Sequence, residues 1–295
     1  MSCGLFSQYI VHLGCINKYL IDGYIPIVDL KTRKNKYNDR NTSLNNPWEL
    51  FFDQIFNYTL DEVIKYAKNV KYLICSPGFH RPNEMKIYYD RNTINFWKNI
   101  AKKYMPIKKS IIDEVNIIKN KLFGDSQNIL GVKLRGTDYK NRPKGHSVQP
   151  KIERVIIDVK KADLKYNYDF IFFATEDESI KKQFIPEFKK KIKMLNPDDE
   201  FMINFKEINY QHLNYIKNYL FNILILSKCL DIITSRCCGA AGVYLFSSGF
   251  RNSIIYLEKF FDIKSRFKEL NIQPITEIGN NSIKLPKLSP KGYPL

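Results

Sequence analysis

The stretch GVKLRGTDY, residues 131–139, ends an apolar run on an arginine, a glycine, a threonine and an aspartate. A strand that stops this way aims charge at something. The guanidinium of Arg135 is a fork suited to phosphate oxygens, which it holds through paired charge-assisted hydrogen bonds. Gly136 beside it lets a ligand or a neighbouring backbone come close. Asp138 is either a substrate-side group or an ion-pair partner that closes the strand end on Arg135. A second stretch, SRCCGAAGVYLF from Ser235, places small residues at the opening of a helix. Amides at a helix N-terminus bind anions. Ser235 and the amides of Cys238 and Gly239 could cradle a phosphate, with Arg236 adding charge. Tight helix–strand packing wants the same small residues. A third stretch, ATEDES, ends a run on Thr175, Glu176, Asp177 and Glu178. These acids could accept hydrogen bonds from ribose hydroxyls or a base. The alternative is a helix N-terminus enriched in acids. Asp177 and Asn222 are candidates for reading a base. His146, in RPKGHSVQP, is either a general base or substrate contact beside the phosphate site, or a surface histidine.

Several chemistries lack their signatures. There is no GxxxxGK[ST] and no GxGxxG, so the P-loop and NAD readings lose their main support. No D-x-D stands as a metal site. The six cysteines show no CxxC and no zinc-finger spacing with the histidines, and a chain of 295 residues is too large for a disulfide scaffold. They read as reduced thiols.

The elements that must position these residues follow from periodicity. Apolar residues at helical spacing predict a helix over 8–20, and GYIPIVDL after it reads as a short buried strand. NPWELFFDQI reads as a helix capped by Asn46, with Pro47 in its first position. TLDEVIKYAK reads as another, with Thr59 and Glu62 at capping-box spacing. VKYLICSP reads as a strand, and residues 92–123 read as helix interrupted near Pro106. A second segment then alternates: strand at NILGVKLRG, helix after Pro150, strand into ATEDES, helix at YLFNILILSKC, strand at LDIITSR, helix at CGAAGVYLF, strand at RNSIIYLE. Residues 264–295 read as a tail packed on the body. Alternation of this kind argues for an α/β fold with parallel sheets. Two Rossmann-like domains are expected, 1–125 and 126–295. All three polar strand ends fall in the second, at carboxyl edges where such sheets bind ligands.

The net charge is +17, from 47 Lys and Arg against 30 Asp and Glu. That favours phosphates, nucleic acid or an acidic membrane surface without choosing among them. No RNP, KH, zinc-finger or helix-turn-helix signature supports a nucleic-acid reading. No apolar run is long enough to span a bilayer. The start has neither a basic leader nor an A-x-A site, which predicts a cytoplasmic protein.

Taken in order, these segments resemble the fucosyltransferase-like glycosyltransferases of the GT-B fold. These include core α1,6-fucosyltransferases, nodulation fucosyltransferases and protein O-fucosyltransferases. GVKLRGTDY resembles the family's G-V-H-x-R-R-T-D. FFATEDES is similar to its strand ending A-T-D-D, and LSKCLDIITSRCCGAAG to its late strand ending in serines. SCGLFSQ is similar to its glycine loop C-G-x-x-x-Q, which puts Gly4 on the donor side. The likeness is greatest to bacterial surface-glycan members carrying RGTDY…PKGHPVQP. The resemblance implies a GT-B fold with two Rossmann-like domains facing a cleft, the first on the acceptor side and the second on the donor side. It implies a metal-independent, inverting transfer of a sugar from a nucleotide donor, GDP-fucose, to a surface glycan. It implies no cofactor, and a place in the cytoplasm, with contact at the inner face of the membrane. Arg135 then takes the donor's β-phosphate, and Ser235 and its neighbours the pyrophosphate. Lys133 stands where the family often has His, and Gly136 where larger enzymes have a second Arg. The core enzymes' catalytic glutamate has no counterpart, leaving Asp138 and His146 as candidate bases. The chain begins at the glycine loop, without the strand that precedes it in the family, so either the start is misplaced or the first sheet is one strand short. A nucleic-acid-binding basic protein and a family member that binds donor without turnover are the competing readings.

Overall fold

The computed structural model describes residues 4–32, 46–67, 69, 70, 80–136, 149–195, 211–257 and 268–272. They form two compact units. One holds the described residues up to Glu114 together with 211–217, and the other those from Val115 to 195 and from Asn218 to 272.

In the first unit, α1 (Leu5–Ile21) buries Leu5, Phe6, Tyr9, Ile10 and Leu13. The Tyr9 ring packs on Phe52, which stacks on Trp48 at 4.4 Å. Gly14 is tight: a Cβ there would lie 1.8 Å from the His80 carbonyl oxygen. NPWEL is a single 3₁₀ turn, Pro47–Leu50, with Asn46 capping it through the Trp48 amide. Thr59 and Glu62 form the expected capping box on α2 (Leu60–Tyr66). The helices α3 (Glu84–Tyr89), α4 (Arg91–Tyr104) and α5 (Lys109–Phe123) follow, with Pro106 between the last two.

Residues 23–30 are not a strand. Their backbone groups are satisfied by side chains instead. The Val28 N–H donates to the Gln54 carboxamide, the Val28 carbonyl accepts from Asn46 and Gln54, and the Leu30 N–H donates to Asn46. Glu49 accepts from both amides and from the Leu60 N–H. An apolar run pinned by buried amides has the composition of a buried strand without its ladder. The expected strand VKYLICSP falls almost wholly outside the described residues.

The second unit carries one six-stranded sheet: β1 (Ile129–Lys133), β2 (Phe170–Ala174), β3 (Ile192–Lys193), β4 (Asp231–Ser235), β5 (Ser253–Leu257) and β6 (Lys268–Ile272). Spatial order is β3-β2-β1-β4-β5-β6, the order of a dinucleotide-type doubly wound sheet. All pairs are parallel except β5–β6. Within the segment expected to be a packed tail, 268–272 forms β6, an antiparallel edge strand on β5. The intervening helices are α6 (Ile152–Tyr166), α7 (Glu178–Phe184), α8 (Gln211–Leu226) and α9 (Cys238–Phe246). β1 and β4 are buried at every position, and residues 129–132 and 232–233 within them are apolar accordingly. Val132, Val155, Val159, Phe173 and Phe184 form the core beneath them. Among the described residues Cys15, Cys229, Cys237 and Cys238 are free thiols, and no helix is long and apolar enough to cross a membrane.

Candidate functional site

The sheet register brings the polar strand ends together. Lys133 pairs with Ala174 across β1–β2 and with Thr234 across β1–β4. Arg135, Glu176 and Arg236 therefore leave one carboxyl edge within two residues of these pairs. Arg135 is ion-paired with Glu176: one guanidinium nitrogen donates to both carboxylate oxygens, at 2.7 and 2.9 Å. Asp138 and His146 lie outside the described residues.

Two other candidates turn out to be tied into the scaffold. Asp177 caps α7, accepting from the amides of Ser179 and Ile180 and from the Ser179 hydroxyl, and its own N–H donates to Thr175 Oγ1. The acids of ATEDES thus divide between a helix cap and an arginine clamp. Gly136 exists for that cap: a Cβ there would lie 2.2 Å from Asp177 Cβ. Ser235, fully buried, donates to Gln149 Oε1 at 2.6 Å and accepts the Arg135 amide at 3.4 Å. It joins the ends of β4 and β1 to the segment re-entering at Gln149, a residue that sequence reasoning passed over.

At the head of α9, Cys237 is the cap, its thiol accepting the Ala240 amide. Cys238 and Gly239 form the first two helical positions, whose amides have no acceptor within the helix. The Arg236 amide donates to the Tyr256 carbonyl, holding the turn against β5. Lys133 is only 3% exposed, and its ammonium sits over the ring of Tyr219 at 5.3 Å from the centroid. Gly239 closes this cluster. A Cβ there would meet Tyr219 Oη at 2.3 Å and Lys133 Cε at 2.8 Å.

Tyr219 is the site residue that the sequence hid, since a tyrosine at helical spacing among leucines reads as core. Its phenol is pushed well above the ordinary range by burial, then by Cys237 and Glu176, with Arg135 opposing and Cys238 adding. Asn222 lies three residues further along α8, where its amide donates to Asn218. Gly4 belongs to the first unit as the N-cap of α1. No cluster of three metal-type side chains occurs among the described residues.

The arrangement suits a compact anion. Two cations, Lys133 and Arg135, and the head of a helix converge at one sheet edge. Beside them, Glu176 is paired with Arg135 and Asp177 caps α7.

No protein-family model matches the chain, and no curated protein does. Solved structures do. NodZ α1,6-fucosyltransferase soaked with GDP-fucose superposes with a TM-score of 0.57 at 12% identity, over 92% of this chain and 97% of that one. The fucosyltransferase NodZ from Bradyrhizobium gives 0.55 at 13% identity over the same shares. NodZ co-crystallized with GDP gives 0.56 at 12%. The chain therefore has the α/β GT-B fold of the NodZ fucosyltransferases, over nearly the whole length of both.

Proposed function

We propose that this chain is a metal-independent, inverting glycosyltransferase that moves fucose from GDP-fucose to a surface-glycan acceptor. The observation that carries the reading is the convergence of Lys133, Arg135 and the head of α9 at the carboxyl edge of a sheet with the NodZ fold. Breaking a sugar–phosphate bond builds negative charge on the departing diphosphate. Groups matched to that charge, rather than to the bound donor, lower the barrier. Arg135 supplies a fork, Lys133 a point charge, and Cys238 and Gly239 oriented amides. Those two cations then serve where other transferases place a divalent ion. Ser235, Gly136, Thr175 and Asp177 keep the strand ends in register for them. Arg236 adds charge at the turn. Asn222 and Asp177 stay candidates for the base side of the nucleotide.

The acceptor hydroxyl loses its proton to Asp138 or His146. Residues 1–125 form the acceptor side and 126–295 the donor side. The +17 charge favours an anionic acceptor or contact with the inner face of a membrane.

The test is thermal unfolding with GDP, UDP, CMP, ADP and GDP-fucose, followed by a search for sugar transfer. Stabilisation by GDP alone among the bare nucleotides, with fucose release or transfer from GDP-fucose, supports the reading. A preference for UDP or CMP removes fucose. Donor binding without turnover under any acceptor makes the chain a binding protein. No response to any nucleotide, with salt-sensitive polynucleotide binding, moves the charge to a nucleic-acid role.

A further inference from the structure

Every position of β1 except the last is apolar, and the last is a lysine that the fold buries. Among the described residues the Lys133 ammonium meets no carboxylate. It meets the ring face of Tyr219. Burying an unpaired cation is expensive, and a ring face returns only part of the lost hydration. Such a position persists when something else offsets the cost. The geometry says where that something sits. Lys133 Cε and Tyr219 Oη both press on Gly239, the second residue of α9, so the cation is held at the first turn of a nine-residue helix. Amides and ammonium at that turn both favour negative charge.

We infer that Tyr219 is a positioning residue, whose ring seats the Lys133 ammonium at the head of α9 so that cation and helix amides together grip a diphosphate. The inference deepens the donor-site reading and rests on it for the identity of the anion. Tyr219 suits the task because its phenol stays neutral. A phenolate would bind the ammonium as an ion pair and compete with the ligand. A neutral ring leaves the charge available. Burial is the first cause of that neutrality, with Cys237 and Glu176 acting in the same direction.

The experiment is calorimetric titration of the full chain with inorganic pyrophosphate and with GDP. The variants are Lys133→Met, Tyr219→Leu, Tyr219→Phe and the Lys133→Met/Tyr219→Leu pair. Lys133→Met is expected to raise the melting temperature without ligand, because a buried charge is gone, and to weaken pyrophosphate about tenfold or more. A lysine kept for structure alone would not move the two readouts in opposite directions. Tyr219→Leu should weaken binding to a similar degree, Tyr219→Phe should restore most of it, and the double variant should be no worse than either single one. Should Tyr219→Leu misfold, Tyr219→Phe and Lys133→Met still decide the matter. Tight pyrophosphate binding that ignores Lys133→Met overturns the inference. So does a tenfold loss in Tyr219→Phe, which would make the hydroxyl and not the ring the acting group. If GDP binds no tighter than pyrophosphate while both depend on Lys133, the inference stands and the nucleotide reading falls. If the wild type binds neither, both fall.

Discussion

Glu176 holds Arg135 across the ends of β2 and β1, with both carboxylate oxygens on one guanidinium nitrogen and both side chains about one-fifth exposed. The group most suited to a donor phosphate is therefore engaged by a carboxylate that resembles one. On the proposed function, a diphosphate bound at Arg135 would compete with Glu176 and approach its charge. Glu176→Gln keeps the shape and removes the charge. It should strengthen GDP binding severalfold, read as a lower dissociation constant in the same titration. A weaker complex would mean that Glu176 aims Arg135 rather than competing for it.

Arg135→Ala should abolish the thermal stabilisation that GDP gives. At 100 times its dissociation constant a ligand adds about 2.7 kcal/mol, so the loss is easily measured. Arg135→Lys should recover little, because a point charge cannot reproduce a planar fork on two oxygens. Full recovery would assign the site to charge alone.

Much of this site was legible in the sequence, though not its wiring. Arg135, Gly136, Ser235 and Gly239 stand out because residue type and position at a strand end are local properties. Alternating apolar runs and the Thr59–Glu62 box are local too, and the helices and strands of the second unit follow them. Partners are another matter. Glu176 reaches Arg135 across 41 residues only because β1 and β2 pair with Lys133 opposite Ala174. A register is a tertiary fact, so no local pattern points from Arg135 to Glu176. Lys133 and Tyr219 pair across two elements for the same reason. Residues 23–30 show the converse failure: their apolar pattern is that of a strand, but Asn46 and Gln54 take the backbone groups a ladder would have used.

Gly136→Ala should destabilise the fold by about 1–3 kcal/mol, through overpacking against Asp177. Its effect should exceed that of Asp177→Ala, which loses the cap of α7 at about 1 kcal/mol. Denaturant unfolding of the two variants gives the comparison. Equal melting of Gly136→Ala and wild type would show that α7 yields easily.

Asp231 opens β4 at the end away from Ser235 and is 1% exposed. It accepts from Tyr168 Oη, from Arg251, and from the Asn252 amide at 2.7 Å. Removing it strands several donors, so Asp231→Ala should cost about 3–5 kcal/mol. Tyr168→Phe, which loses one hydrogen bond, should cost about 1 kcal/mol. GDP affinity per folded molecule should be unchanged in Tyr168→Phe, because the lost contact lies at the other edge of the sheet. A drop in affinity there would show that the two edges are coupled.

Lys98, on α4, is the group whose titration should be visible in stability. Burial lowers its pKa from 10.5 to about 8. At pH 7 it is protonated in the folded and unfolded states alike, and the folded state carries the whole cost of burying the charge. Between about pH 8 and 10.5 the unfolded chain holds the proton that the folded chain has released. Stability from this group therefore rises with pH across that window and is level above it. Lys98→Met should be more stable than wild type at pH 7, and the difference should shrink as the pH climbs from 8 to 10.5. Melting temperatures of both proteins across that range decide it. A constant gap would mean that the ammonium reaches water and that the methionine gains by packing alone.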